Sequence, residues 1–165
     1  MHRGIALGVP SVALATMGGM LVEVRRAAHA PLPHFDDNDP SGTYGRVGAE
    51  RAVRVAVLGD STVTAPGLAS GSHSWIARLC DRLPWEVHLR SHARGGSRVA
   101  HVLDEQASEA ASERPDLFVV AVGANDVLHL TPAGRFTRQL HELLDGLSEV
   151  APVVTLGIGD LSVIP

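Results

Sequence analysis

From Val53 onward, short apolar runs alternate with stretches whose apolar positions recur every three or four residues. Runs of the first kind fit strands and the second kind fit amphipathic helices. The pattern predicts strands over Val53–Leu58, Glu86–Arg90, Leu117–Val122 and Val153–Ile158, and helices near Trp75–Leu83, Arg98–Glu113 and Pro132–Val150. Strands and helices in strict alternation build βαβ units around a mostly parallel sheet, so the fold class expected is α/β. The third helix carries the clearest stripe, with Phe136, Leu140, Leu143, Leu144, Leu147 and Val150 on one face. Thr131 is the expected N-cap of that helix and Pro132 its first residue. Leu117–Val122 is apolar throughout, as a strand covered on both faces must be, whereas Glu86–Arg90 alternates as a half-exposed edge strand does. With the second strand at an edge, the first lies inside, in a flavodoxin-like order 2-1-3-4. Ligands are then expected beyond the carboxyl ends of the strands.

The residues before Val53 divide in two. Nineteen uncharged residues separate Arg3 from Glu23, about the minimum for a membrane-spanning helix, so residues 1–26 form an N-terminal hydrophobic segment and residues 4–22 suit membrane association. Pro10 and Gly18–Gly19 interrupt it, and Ala28-His29-Ala30 imitates a signal-cleavage site, so a retained anchor, a cleaved signal and a soluble leader all stay open. Arginines flank both ends, leaving the side of the membrane undecided. Residues 27–52 are rich in Pro, Gly and Asp without apolar periodicity and are expected to be a linker, leaving 53–165 as the globular domain. Inside the linker, Asp37, Asp39, Ser41 and Gly42 imitate the start of a calcium loop. Gly48 stands where the closing Glu is needed, so a solvated turn is expected there instead.

Composition narrows the function classes. A chain of 165 residues that is 45% hydrophobic holds enough apolar material for one folded domain. A net charge of -4 with no basic run argues against nucleic acid as a partner. Cys80 is the single cysteine, which excludes an internal disulfide and a cysteine metal cluster. His141-Glu142 begins a zinc helix motif that Asp145 breaks, and no metal site is expected.

Three loops leaving strand ends carry chemistry, and on a parallel sheet those loops share one rim. They are Gly59-Asp60-Ser61-Thr62, Arg94-Gly95-Gly96-Ser97 and Gly123-Ala124-Asn125-Asp126. Ser61 lies where a strand turns into a loop or helix, so its hydroxyl can be exposed as a nucleophile. Gly96, without a Cβ, leaves its N–H open to a substrate oxygen, and Asn125 adds an amide donor. Together with the Ser61 N–H these form a candidate oxyanion hole, each donor supplying about 2.7–4 kcal/mol in known cases. The hydrolase elbow G-x-S-x-G fails at Val63, and Gly157, Gly159 and Ser162 give only a broken dinucleotide fingerprint after the wrong strand.

In order and spacing, Gly59-Asp60-Ser61, Gly96 and Gly123-Ala124-Asn125-Asp126 resemble the first three blocks of the SGNH (GDSL) hydrolases, over roughly Val53–Pro165. The stretch Gly95-Gly96-Ser97-Arg98-Val99 is similar to the SGARV of related actinobacterial-type sequences. The resemblance implies a three-layer α/β/α sandwich and a serine esterase, lipase or thioesterase acting on a small-molecule or lipid ester. It also implies Ser61 as nucleophile with Gly96 and Asn125 as oxyanion donors, and it calls for no cofactor. Gly59, Asp60, Gly123 and Asp126 support the loops. Two features depart from the family. Ser91 replaces an asparagine that often precedes the block-two glycine, and no Asp-x-x-His follows the last strand. The chain is therefore expected to be truncated at its C-terminus, with the general base and its carboxylate encoded beyond Pro165. Asp126-Val127-Leu128-His129 spells the missing pattern internally, but in a loop from which His129 is not expected to reach Ser61. Two alternatives stay open: an inactive fragment lacking its base, and a flavodoxin-like module whose Ser61, Thr62 and Thr64 cradle a phosphate or FMN. Oligomeric state is not legible.

Overall fold

Residues 36–157 are described in the structure, a computed structural model. The chain divides into two units, Met1–His34 and Phe35–Pro165, and all described residues belong to the second. The hydrophobic segment 1–26, the Ala28–Ala30 pattern and the end of the last expected strand at Ile158 lie outside them. No helix among the described residues is long and apolar enough to cross a membrane.

The strands are β1 (Gly42–Gly45), β2 (Ala52–Gly59), β3 (Glu86–Ser91), β4 (Leu117–Ala121) and β5 (Val153–Thr155). They form one sheet in the order β1-β3-β2-β4-β5, parallel except for β1, which runs antiparallel to β3. The four parallel strands keep the expected 2-1-3-4 arrangement. Two expectations need correction. Residues 27–52 are not linker throughout, because Gly42–Gly45 joins the sheet, pairing Thr43 with His88 and Tyr44 with Val87. The strand at Glu86–Ser91 is consequently not an edge. It alternates because Val87 and Leu89 face the core while His88 and Arg90 face solvent, a pattern that follows from a half-covered face wherever the strand sits.

Side-chain alternation sends the inner strands' residues into two apolar clusters, one on each face. Ala56, Leu58, Phe118 and Val120 pack under two long helices. The first, α3, runs through Val99–His101, a π-helical stretch Val102–Gln106, and Ala107–Ser112. The second, α5 (Ala133–Ser148), buries Leu143 and Leu147. On the opposite face Val55, Val57, Val119 and Ala121 meet α2 (Trp75–Cys80) through Ile76 and Cys80. The result is the three-layer α/β/α sandwich. At α5 the expected cap moves by one residue. Pro132 is the N-cap, its carbonyl accepting from Arg135 N at 2.8 Å and Phe136 N at 3.0 Å, and Thr131 makes no cap bond.

Candidate active site

The first loop is shaped by a close approach. A Cβ on Gly59, whose φ is +153°, would lie 2.0 Å from the Ala121 carbonyl of β4, so only glycine lets β2 end there. Asp60 follows, fully buried, and caps the helical turn α1 (Ser61–Thr64), its Oδ1 accepting from Thr62 N at 2.9 Å. Ser61 is therefore the first residue of a turn, partly exposed, and neither its N–H nor its Oγ has a hydrogen-bond partner among the described residues. Trp75 Nε1 donates to the Thr62 carbonyl at 2.7 Å and steadies the same turn.

The second loop closes on the first. Arg94 N donates to the Gly59 carbonyl at 3.1 Å, and Ser97 N donates back to Arg94 O at 3.2 Å, forming a turn with Gly96 near its apex. Gly96 has φ +76° and nothing within 4 Å of a built Cβ, so backbone conformation, not crowding by the protein, demands glycine here. Its N–H is also free of acceptors among the described residues.

The third loop follows β4 and enters α4 (Ala124–Leu128) through Gly123 at φ +127°. Asn125, in its first turn, donates from Nδ2 to Asp60 Oδ2 at 3.3 Å and to the Ser97 carbonyl at 3.1 Å. One amide thus touches both other loops. Asp126 is buried and accepts from Val99 N at 2.9 Å, placing a carboxylate at the N-terminus of α3, where the helix dipole favours negative charge.

Two residues bind these loops together, Gln106, which the sequence does not mark, and Asp37, which it marks only as part of a calcium-loop imitation. Gln106, buried in the π-helical stretch, accepts from Gly59 N at 3.0 Å and donates to Gly59 O at 3.0 Å and Ser97 Oγ at 3.2 Å. Bulges of this kind re-aim a side chain within a helix and frequently sit at functional sites. Asp37, in the expected solvated turn, accepts from Thr64 Oγ1 and Gly95 N, both at 2.7 Å. Proximity of Asp37 to a second carboxylate was the only signal the sequence offered, and it pointed to calcium rather than to this role.

Beside Ser61 opens a cleft of about 260 Å³ lined by Asp60, Thr62, Ala121, Val122, Ala124, Leu156 and Gly157. Its wall is mostly apolar, suiting a small uncharged substrate portion. Four of the described histidines are engaged elsewhere. His88 faces Glu86, His92 lies against Glu109 and Glu113, and His101 contacts Arg98. His129 sits with Nδ1 2.8 Å from the Asn125 carbonyl, so the internal Asp-x-x-His serves the end of α4. The phosphate-cradle alternative loses Thr64, which is buried and committed to Asp37.

Comparison with known proteins bears on the fold and the family. Among solved structures, the chain is similar to TesA, with 29% identity and a TM-score of 0.59 over 64% of this chain and 60% of that one. It is also similar to the psychrotrophic esterase EstA from Pseudoalteromonas sp., at 21% identity and a TM-score of 0.58 over 64% of this chain and 59% of that one. Axe2, an acetylxylan esterase from Geobacillus stearothermophilus, is similar at 14% identity and a TM-score of 0.52 over 62% of this chain and 58% of that one. The last two likenesses speak for the fold alone. The chain spans about 60% of the length of these solved structures. No match is found among curated proteins. Residues 57–165 match the sequence model of the GDSL-like lipase/acylhydrolase family, two thirds of the chain including all three loops, and the chain belongs to that family.

Proposed function

We propose that this chain carries the acylation site of a serine ester hydrolase, in which Ser61 Oγ attacks the carbonyl carbon of an ester or thioester. The negative charge that develops on the carbonyl oxygen is met by the N–H groups of Ser61 and Gly96 and by the Asn125 side-chain amide, preorganised donors of the kind that dominate acyl transfer. Collapse of the tetrahedral species breaks the bond to the alcohol or thiol, which leaves with the proton taken from Ser61. Water then hydrolyses the acyl-serine, releasing the acid and restoring the hydroxyl.

The observation that carries this reading is the Asn125 amide, hydrogen-bonded at once to Asp60 beside Ser61 and to Ser97 beside Gly96. Both of its N–H groups are engaged. The longer bond, 3.3 Å to Asp60, is the one a substrate oxygen displaces. Asp60 and Asp126 shape the loops and stay out of proton transfer. The proton acceptor for Ser61 is assigned to a residue outside 36–157, because no described histidine is hydrogen-bonded to the Ser61 hydroxyl. The apolar cleft supports an acyl or alkyl portion as its occupant, and residues 4–22 suit delivery of a lipid ester from a membrane surface.

Turnover of a short-chain p-nitrophenyl ester tests the reading. The full-length protein hydrolyses it and reacts with a fluorophosphonate at Ser61, and Ser61→Ala abolishes both. Equal turnover by Ser61→Ala overturns the nucleophile, while turnover by the full-length protein that the 165-residue chain lacks favours the inactive-fragment alternative.

A further inference from the structure

We propose that Asp37 is a positioning residue for the Gly95–Gly96 turn, and that residues 37–41 form a strap belonging to the active site although they precede the family's matched region by some fifteen residues. The inference rests on the reading of Ser61 and Gly96 given above.

Paired glycines carry more backbone freedom than any other dipeptide, so Gly95–Gly96 has little of its own to hold the Gly96 N–H in one direction. Functional constellations need placement to within about 0.5 Å. Ser97 N, bonded to Arg94 O, closes the turn on one side. Asp37 supplies the other constraint, accepting the Gly95 N–H on Oδ2 and the Thr64 hydroxyl on Oδ1, each at 2.7 Å. Thr64 ends the same turn that Ser61 begins, so one carboxylate joins the turn bearing the nucleophile to the turn bearing Gly96. These are charge-assisted bonds, shorter and stronger than neutral ones. They also leave the Gly96 N–H unengaged.

The strap is itself tied down along its length, which makes Asp37 a fixed anchor although its side chain is reached by solvent. Asn38 N donates to Thr64 O at 3.1 Å, and Asn38 Nδ2 to Ala65 O at 2.9 Å. The Tyr44 hydroxyl donates to the carbonyl of the buried Pro40 at 2.8 Å, and Ser91 N donates to Ser41 Oγ at 2.9 Å. Glycines make room for it. A Cβ on Gly95 would lie 2.5 Å from Asp37 Oδ1, and one on Gly71 would lie 2.0 Å from the Asp39 carbonyl.

The experiment compares the full-length parent with Asp37→Ala, Asp37→Asn and Ser61→Ala on p-nitrophenyl acetate. It also follows amide hydrogen exchange across 92–98. Asp37→Ala lowers kcat roughly tenfold, less than the ~100-fold that a 1 Å misplacement can cost, with KM changed less than about twofold and faster exchange at Gly95. Asp37→Asn, which keeps one acceptor oxygen, falls between parent and Asp37→Ala, and decides the matter by the same criteria if Asp37→Ala does not fold. A kcat within about twofold of the parent, a loss confined to KM, or unchanged Gly95 exchange overturns the proposal. If the parent is no faster than Ser61→Ala, the nucleophile reading falls separately, and exchange at Gly95 alone then supports or overturns the strap.

Discussion

Replacing Gln106 with Leu tests whether the buried amide in the π-helical stretch holds the first two loops together. The side chain makes three buried bonds, to Gly59 N, Gly59 O and Ser97 Oγ. Leucine removes all three, but the consequences differ by atom. Gly59 O keeps Arg94 N as a donor, so it stays satisfied. Gly59 N has no other acceptor among the described residues, and an orphaned buried N–H costs about 1–3 kcal/mol. The two bonds donated by Gln106 contribute about 1 kcal/mol each in net terms. Burying a leucine in place of an amide returns about 1–2 kcal/mol. The balance is a destabilisation of about 1–4 kcal/mol, a sizeable fraction of the ~5–15 kcal/mol available to a domain. Gln106→Glu keeps an acceptor for Gly59 N but loses both donors and brings a charge into the interior, so it is the more damaging of the two. Urea unfolding followed by the fluorescence of Trp75 and Trp85 measures both variants, with m required to stay constant. A loss below about 0.5 kcal/mol for Gln106→Leu refutes the reasoning, because the Gly59 N–H is then satisfied in some other way.

Two further outcomes follow from the same geometry. On the proposed reading of Asn125 as an oxyanion donor, Asn125→Ala lowers kcat by about 10²–10³, and steady-state kinetics on the full-length protein checks it. Burial pushes the Cys80 thiol up to about 11, so at pH 8 it stays protonated in the folded protein. Ellman's reagent then reacts slowly with native protein and fully after urea unfolding. Because the folded value is the raised one, the thiol's contribution to stability is intact at neutral pH and declines only as alkaline solution ionises the unfolded chain first.

The sandwich and its order were legible because apolar runs such as Leu117–Ala121 and the stripe on α5 are local signals that survive in any surroundings. Ser61, Gly96 and Asn125 could be picked out because each follows such a strand by a few residues. Strand β1 was hidden. It is four residues long, begins and ends in glycine, and exists through pairing with β3, more than forty residues away. The linking roles of Asp37 and Gln106 are hidden for the same reason, since Asp37 reaches partners 27 and 58 residues on and Gln106 binds Gly59 across 47 residues. The Thr131-Pro132 pair at the head of the apolar stripe points to Thr131 as the cap of α5, yet Pro132 takes that position and the threonine hydroxyl makes no cap bond. Local signals and the shared rim of a parallel sheet are readable, whereas individual pairings between residues far apart in the chain are not.

The most direct measurement is a crystal structure of the full-length protein after reaction with a phosphonate ester, an analogue of the tetrahedral acylation species. The account predicts phosphorus bonded to Ser61 Oγ and one phosphonyl oxygen within about 2.7–3.1 Å of Ser61 N, Gly96 N and Asn125 Nδ2. An adduct on any other side chain, or a phosphonyl oxygen turned away from Gly96 and Asn125, contradicts it.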